Sequence, residues 1–305
     1  GGDNLGLFGW IGGSVKNLGL ENFSVSGSSG SEHIGGLVGY NGGTISNCSS
    51  TGSVSGSSGS VYIGGLVGYN DGTISNCNST GAVSGSWEKL GGLVGYNVGI
   101  ISSCYSTGAV SGSSYYVGGL VGWNVGIISN CYATGTVSGY NALGGLVGEN
   151  YNGNKNDNGS ISNCYSTGTV SGFFDSAIVG GLVGNNSGSI SHSYFLVTSG
   201  PDNGFGTPLT NAQMKQRVSL VGWDFNALWH ICETTNYPKL IWQMLPADFV
   251  CPDGVNFADF GFFANWWGAE NCAGANNCDG ADFDFSGKVD EADLAIMCDY
   301  WLKGL

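Results

Sequence analysis

Residues 34–56 read IGGLVGYNGGTISNCSSTGSVSG, and residues 63–85 read IGGLVGYNDGTISNCNSTGAVSG. Further copies begin at Leu90, Val117, Leu143 and Val179, and a weaker one runs from Leu5 to Gly27, giving seven units. Their shared cysteine advances from Cys48 through Cys77, Cys104 and Cys131 to Cys164. A repeat of 27–33 residues at a fixed slot is the mark of a stacked array, in which each unit buries its apolar face only against its neighbours. Each unit offers three β-prone pieces, GGLVGY, GTISNC and a piece like GAVSG, separated by Gly, Asn and Ser, the residues of turns. No stretch carries a helical period. The expected fold is mostly β, a parallel β-helix (β-solenoid) of about seven coils over residues 1–200. At roughly 4.8 Å per coil, the strand spacing, it would be about 34 Å long.

Stacking turns columns of sequence into ladders. One is Leu18, the five cysteines and Ser193. Another is Asn41, Asn70, Asn97, Asn124, Asn150 and Asn186, whose amides suit a coil corner because each can bond to the amides above and below. A third is aromatic, Trp10, Tyr40, Tyr69, Tyr96 and Trp123, and a fourth follows the cysteines, Tyr105, Tyr132, Tyr165 and Tyr194. The third column is the candidate contact for carbohydrate or for another subunit, since a flat row of rings matches the faces of pyranoses.

The repeated GGLVGYN…G.ISNCYSTG.VSG resembles the GLUG-motif repeat of large secreted and surface proteins of bacteria. The resemblance covers residues 5–198 and implies a β-helical, surface-exposed stalk or adhesin-like region without a defined ligand. Composition agrees with a folded chain. Charged residues are 10% and hydrophobic residues 41%, which is unlike a disordered segment. The net charge of −14 argues against a nucleic-acid partner, and no apolar run is long enough for a membrane span.

Residues 201–245 break the period. Asn211–Val218 reads as a short helix, and GWDFNALWHI and YPKLIW read as a cap in which Trp223, Trp229 and Trp242 pack on the last coil. Residues 246–305 form a third, acidic segment that holds eleven of the 22 acidic residues. Within it Ala281–Trp301 aligns without gaps on Ala247–Trp267. The second copy carries an EF-type calcium loop, with Asp282, Asp284, Ser286, Asp290 and Asp293 at positions 1, 3, 5, 9 and 12, the carbonyl of Lys288 at 7 and Gly287 at 6. The first copy is a weaker loop, keeping Asp248, Asn256 and Asp259, with Asp253 as a substitute ligand and Val250 and Pro252 at positions 3 and 5. Paired loop–helix units of this kind resemble a type I dockerin, in which position 12 is Asp. That resemblance implies a small helical module that binds calcium and docks on a cohesin-like or cell-surface protein.

The five ladder cysteines read as free, buried, small hydrophobes, because parallel side chains in register rarely reach the disulfide dihedral. Cys251, Cys272, Cys278 and Cys298 fit a disulfide set in a small secreted module. Of the three connectivities the one adopted is Cys272–Cys278 with Cys251–Cys298, which leaves Cys232 over.

Catalysis has little to stand on. A glycosidase needs two carboxylates roughly 5–9.5 Å apart across a scissile bond. On the coils only Glu149 and Asp157 are placed to approach, with Lys155 the one basic residue near them. His33, His192 and His230 lie in unlike contexts. No catalytic residue is assigned, and calcium is the only cofactor expected. The reading that follows is a secreted or cell-surface structural or adhesive solenoid that self-associates end-to-end. Gly1–Trp10 enters partway through a coil, so either the chain is cut from a longer protein or another subunit covers that end. The alternative is a carbohydrate-binding or polysaccharide-degrading component tethered through a dockerin–cohesin contact.

Overall fold

The computed structural model describes residues 2–153, 158–174, 177–251, 254–272 and 276–303. The chain divides into two compact units, Gly1–Met214 with Val218–Trp223, and Lys215–Arg217 with Asp224–Leu305. The segment expected to be one cap, residues 201–245, is therefore shared between them.

The first unit is a parallel β-solenoid. Six coils carry five strands each. A seventh carries four and is closed by Thr207–Leu209, which pairs in parallel with Tyr194–Leu196. In the third coil the strands are Val61–Gly64, Val67–Asn70, Thr73–Ser75, Asn78–Ser79 and Val83–Gly85. Each pairs in parallel, and in register, with its counterparts one repeat away, as Tyr69 does with Tyr40 and Tyr96.

Five strands stand where three β-prone pieces are legible, and two local features cause the splits. The first piece breaks at its double glycine. A Cβ on Gly65 would lie 2.1 Å from Ser79 Oγ and 2.3 Å from the Gly92 carbonyl, so strands from opposite walls meet there. This waist divides the interior into two apolar lobes. One is built from the Leu–Val of the repeat, the Ile of TIS and the cysteine, and the other from the residue before the double glycine and the Val of VSG. Serines line the waist, and Ser50 Oγ donates to Gly65 O at 2.6 Å. The second piece breaks at the residue before the cysteine. Asn47, Asn76, Ser103, Asn130 and Asn163 all take φ between 51° and 53°, the left-handed corner that asparagine tolerates best.

The ladders are continuous. Asn41, Asn70, Asn97, Asn124 and Asn150 are fully buried, and each donates its Nδ2 to the next amide oxygen at 2.6–2.8 Å, ending on Asn186. All five ladder cysteines are free and buried. Each thiol donates to the carbonyl two residues before it, as Cys104 Sγ does to Ser102 O at 3.1 Å, and those of Cys77, Cys104, Cys131 and Cys164 accept from the backbone of the preceding coil's cysteine, as Cys104 Sγ does from Cys77 N at 3.4 Å. Ser193 takes over both roles in the last coil, accepting from Cys164 N and donating to Ser191 O. Tyr105, Tyr132 and Tyr165 stack with centroids 4.9 Å apart. Trp223 lies over Tyr165 and Tyr194 and donates its Nε1 to the His192 carbonyl, closing this corner within the first unit.

The helix expected over Asn211–Val218 is instead two 3₁₀ turns, Gln213–Lys215 and Arg217–Ser219. The apolar content of this stretch is too sparse to anchor a longer helix. Met214 is its one fully buried side chain, and the Arg217 N–H is taken by the Glu233 carboxylate at 2.8 Å.

In the second unit, Trp229–His230 pairs antiparallel with Lys239–Leu240. Two loop–helix copies follow, with α1 at Phe257–Trp266 and α2 at Glu291–Asp299. Asn256 and Asp290 cap them, each accepting from the backbone two residues on. The copies are tied reciprocally. Val255 exchanges hydrogen bonds with Leu302 and Lys303 after α2, and Val289 makes the equivalent pair with Gly268 and Ala269 after α1. The positions differ by 34 residues throughout, so the internal repeat of the sequence is a two-fold relation in space. Val255, Val289, Phe263 and Met297 fill the shared core.

Candidate functional site

Three groupings outside the cores bring chemically distinctive side chains together. The first contains the predicted aromatic column. The glycine of each VGYN strand has no room for a side chain. A Cβ on Gly68 would lie 2.4 Å from the His33 carbonyl carbon, and one on Gly95 2.5 Å from that of Tyr62. The residue two before the double glycine of the previous coil folds over that glycine with positive φ, at His33, Tyr62 and Lys89, and Asn4 does the same in the first coil. A second column thereby interleaves with Tyr40, Tyr69, Tyr96 and Trp123. The signal for it was the recurring large residue at 33, 62, 89 and 116, which the repeat alignment left outside the motif.

The rings are not a flat row. Tyr40 and Tyr69 stack on each other at 4.9 Å and 7°, Tyr62 stacks on His33 and on Tyr96, and Tyr69 meets Tyr96 edge-on. Strand spacing puts rings of adjacent coils at stacking distance, so their faces are spent on one another. The column corrects the expectation of an open platform for pyranose faces; only Trp10, 63% exposed, stands free of such packing along it. At its far end the rings enclose a cation. Lys89 Nζ lies 4.5 Å from the Trp123 ring, 4.9 Å from Tyr62 and 5.8 Å from Tyr96 and Tyr116, and pairs with Glu88 at 2.9 Å. Glu149, which replaces the aromatic in the next coil, is buried and accepts from Asn185 at 3.0 and 3.2 Å. Burial raises its pKa, and the Asn185 amide opposes the rise. Burial also lowers the pKa of His33, which Glu32 and Asp3 partly offset. Asp157 and Lys155, the proposed neighbours of Glu149, lie outside the described residues.

The second grouping is a ridge absent from the sequence reading. It occupies the corner between each VSG strand and the next coil, where the linking segments vary: SWEK at 86–89, SSYY at 113–116, YNA at 140–142 and FFDSAI at 173–178. Trp87, Tyr115, Tyr140, Phe173 and Phe174 are all exposed, between 41% and 56%. Tyr115 and Tyr140 lie 5.2 Å apart, and Tyr140 and Phe174 5.0 Å apart, tilted at 45° and 60° rather than stacked face to face. Four successive coils thus present large apolar side chains along one line.

The third grouping is the acidic loop 282–293, where calcium ligands are expected from the sequence. Carboxylate oxygens of Asp282, Asp284 and Asp293 lie within 4.8 Å of one another. Asp282 accepts from Ser286 N and Gly287 N, and Asp293 is fully buried, accepting from Phe283 N, Asp284 N and Asp290 N. Hydrogen bonds from Ser286 pull the pKa of Asp284 down. Three carboxylates, a hydroxyl at Ser286 and the Lys288 carbonyl are hard oxygen donors that fit calcium. In the first loop Asp259 repeats the Asp293 bonds, accepting from Phe249 N, Val250 N and Asn256 N, and Asp248 accepts from Gly254 N. Asn256 Oδ1 is used as the helix cap, and Asp253 lies outside the described residues. Among the described residues this loop brings no third acidic group to Asp248 and Asp259.

The disulfides depart in part from the expected pairing. Cys272 is bridged to Cys278, but Cys251 is bridged to Cys232, and Cys298 is free and exposed. Cys298 sits on α2 beside an apolar groove of about 370 Å³ lined by Phe257, Phe260, Leu294, Met297 and Trp301. Cys232 comes from the hairpin region, which the sequence reading had assigned to a different segment. His230 lies beside this bridge.

The chain carries GLUG-motif repeats, matched to the family described as "The GLUG motif" over residues 30–55, 59–84, 89–111, 113–138 and 139–171. It is 33% identical over 105 residues to a "Putative Gly-rich membrane protein" of Evansella cellulosilytica, an alignment that spans 32% of this chain and 11% of that protein. Its fold is similar to the crystal structure titled "putative immunoglobulin A1 protease" from Bacteroides ovatus, with a TM-score of 0.51 and 24% identity, covering 79% of this chain and 74% of that one. The latter likeness concerns the fold alone. No helix among the described residues is long and apolar enough to cross a membrane.

Proposed function

We propose that this protein is a non-catalytic, extracellular adhesive solenoid that holds polysaccharide on the aromatic ridge Trp87–Tyr115–Tyr140–Phe173–Phe174. The observation that carries the reading is the ridge's exposure in four consecutive coils, set against the Tyr105 and Tyr69 columns, which spend their rings on internal stacking. An exposed apolar line of tilted rings is a surface built for contact, and stacking on sugar rings is the contact such rings make without charge. The two disulfides in residues 232–278 support an oxidising location outside the cell. The C-terminal module is read as a calcium-stabilised docking element whose partner, cohesin-like or another surface protein, meets the groove beside α2.

Affinity electrophoresis through gels containing neutral polysaccharides tests the ridge. Retardation by at least one of them, lost in the Trp87→Ala, Tyr140→Ala double variant and kept in Tyr40→Ala, is the expected result. Unretarded migration in a panel of cell-wall and capsular polysaccharides would sink the proposal.

End-to-end association is a second reading with its own observation. The first coil exposes the outer edge of its strands, together with Leu7, Phe8 and Trp10. An edge of this kind accepts another strand, whether from upstream sequence or from a second copy. Negative-stain microscopy with calcium and then with EDTA distinguishes filaments from single particles.

A further inference from the structure

The second unit contains two disulfides in unlike surroundings. Both cysteines of Cys272–Cys278 are buried. In Cys232–Cys251, Cys232 is buried at 1% exposure while Cys251 is exposed. An imidazole accompanies only the second bridge among the described residues. His230 Nε2 lies 3.4 Å from Cys232 Sγ and 3.9 Å from Cys251 Sγ. The placement follows from local structure. Trp229–His230 is held in the hairpin with Lys239–Leu240, and residues two apart on extended chain face the same side. The Cys232 carbonyl accepts from Thr235 N and Asn236 N, which anchors that end of the bridge.

We propose that Cys232–Cys251 is an exchangeable disulfide through which a thiol-bearing partner becomes covalently attached at Cys251, with His230 acting on the departing Cys232 sulfur. Three requirements of thiol–disulfide exchange meet here: an accessible sulfur to attack, a leaving sulfur on the far side, and a means of lowering the cost of its departure. Burial disfavours a thiolate, so Cys232 leaves readily only if a proton is delivered as the bond breaks. The partner's thiolate attacks Cys251 Sγ and forms the new S–S bond. The Cys232–Cys251 bond breaks, its electron pair passes to Cys232, and the His230 imidazolium gives that sulfur its proton. The imidazole regains a proton from water. One disulfide replaces another, so no external oxidant or reductant is consumed. A chain so linked is fixed to a surface by a bond that outlasts any single adhesive contact.

The test uses the full-length protein with Cys298 first blocked by N-ethylmaleimide and glutathione as the attacking thiol. Samples are acid-quenched, alkylated and mapped by mass spectrometry. The expected early product carries glutathione on Cys251 and the alkyl group on Cys232, with Cys272–Cys278 intact. Its rate should exceed opening of Cys272–Cys278 at least about 100-fold, the low side of what a positioned general acid supplies. His230→Phe should slow the step by a similar factor at unchanged thermal stability, and added imidazole should restore the rate of His230→Ala. Glutathione found on Cys232, equal opening of the two bridges in the unmodified chain, or a His230→Phe rate equal to wild type would each overturn the proposal. The comparison of the two bridges needs no variant, so it decides even if a substitution fails to fold.

Discussion

Replacing Asn97 by alanine tests whether the buried amide ladder holds the coils in register. Asn97 is fully buried, accepts from Asn70 Nδ2 at 2.7 Å, and donates to Asn124 Oδ1 at 2.7 Å and to the Gly99 carbonyl at 3.2 Å. Gly99 O keeps a second donor, Ile127 N, and Asn70 Nδ2 keeps the Gly72 carbonyl. Asn124 Oδ1 loses the donor that satisfies it in a site closed to water. An orphaned buried acceptor costs about 1–3 kcal/mol, and the lost bond and small void add about 1 more, so about 3 kcal/mol is expected. Asn186→Ala is the matched control. That residue is half-buried at the ladder's end and accepts one amide bond from Asn150 at 2.7 Å, so water replaces much of what is lost and the cost is about 1 kcal/mol. Two compact units make a single unfolding free energy ill-defined. Hydrogen exchange read peptide by peptide is therefore the suitable assay, since coils open locally. The Val98 and Gly99 amides, both bonded to Asn70 O, should exchange about 100-fold faster in Asn97→Ala, which is 3 kcal/mol at 1.4 kcal/mol per decade. Equal and less than about threefold acceleration in both variants would refute the energetic role assigned to the ladder.

Three further outcomes follow from the same geometry. Cys104→Ser should cost only about 1 kcal/mol, because Ser193 shows that a hydroxyl makes both ladder bonds, whereas Cys104→Ala orphans the Cys77 N–H and should cost about 2 kcal/mol more by local exchange. Burial raises the pKa of Glu149 in the folded state, so the folded chain holds its proton more tightly than the unfolded chain. Stability should fall as pH rises from the ordinary carboxylate range through the raised value, and Glu149→Gln should match wild type in acid and exceed it at neutral pH in thermal scans. Calcium should raise the melting temperature of the C-terminal module with one ion bound per chain by calorimetry; Asp284→Ala should abolish the rise, and Asp248→Ala should leave it unchanged.

The sequence was most legible where stacking forces like onto like. The asparagine, cysteine and tyrosine columns could be written down from the repeat alone, because a residue stacked on its own kind meets the same hydrogen-bonding or ring partner in every coil. The five-strand coil was not legible, since the waist at Gly65 and the corner at Asn76 depend on strands from opposite walls meeting, which no single unit reveals. The orientation of the aromatic column was likewise set by a partner column, His33, Tyr62 and Lys89, lying outside the motif. The Cys232–Cys251 bridge joins segments on either side of an assumed boundary, and cysteine counting within the module alone could not have found it. In the acidic module the 34-residue offset located both loops, and the difference between them is legible too, since Val250 stands where Asp284 stands in the second.

The same constraint explains why the ridge lies where it does. From the second coil onward, positions such as Gly65 and Asn97 are held to one residue type, because each is packed or hydrogen-bonded against its counterparts above and below. The corner after each VSG strand escapes that demand. Its segments run from the three residues 140–142 to the six residues 173–178 without disturbing the pairing of Val117 with Leu143 or Leu143 with Val179. In the second and third coils the same corner holds SSGSEH and SSGSVY, where Ser31 N and Ser60 N close small turns on Ser28 O and Ser57 O. A polar turn thus suffices for folding there, and nothing in the stacking calls for Trp87, Tyr115, Tyr140 or Phe174. Large apolar side chains kept in solvent at a corner free to dispense with them are explained by what they touch outside the chain, and loops on a rigid scaffold are where such contacts are carried.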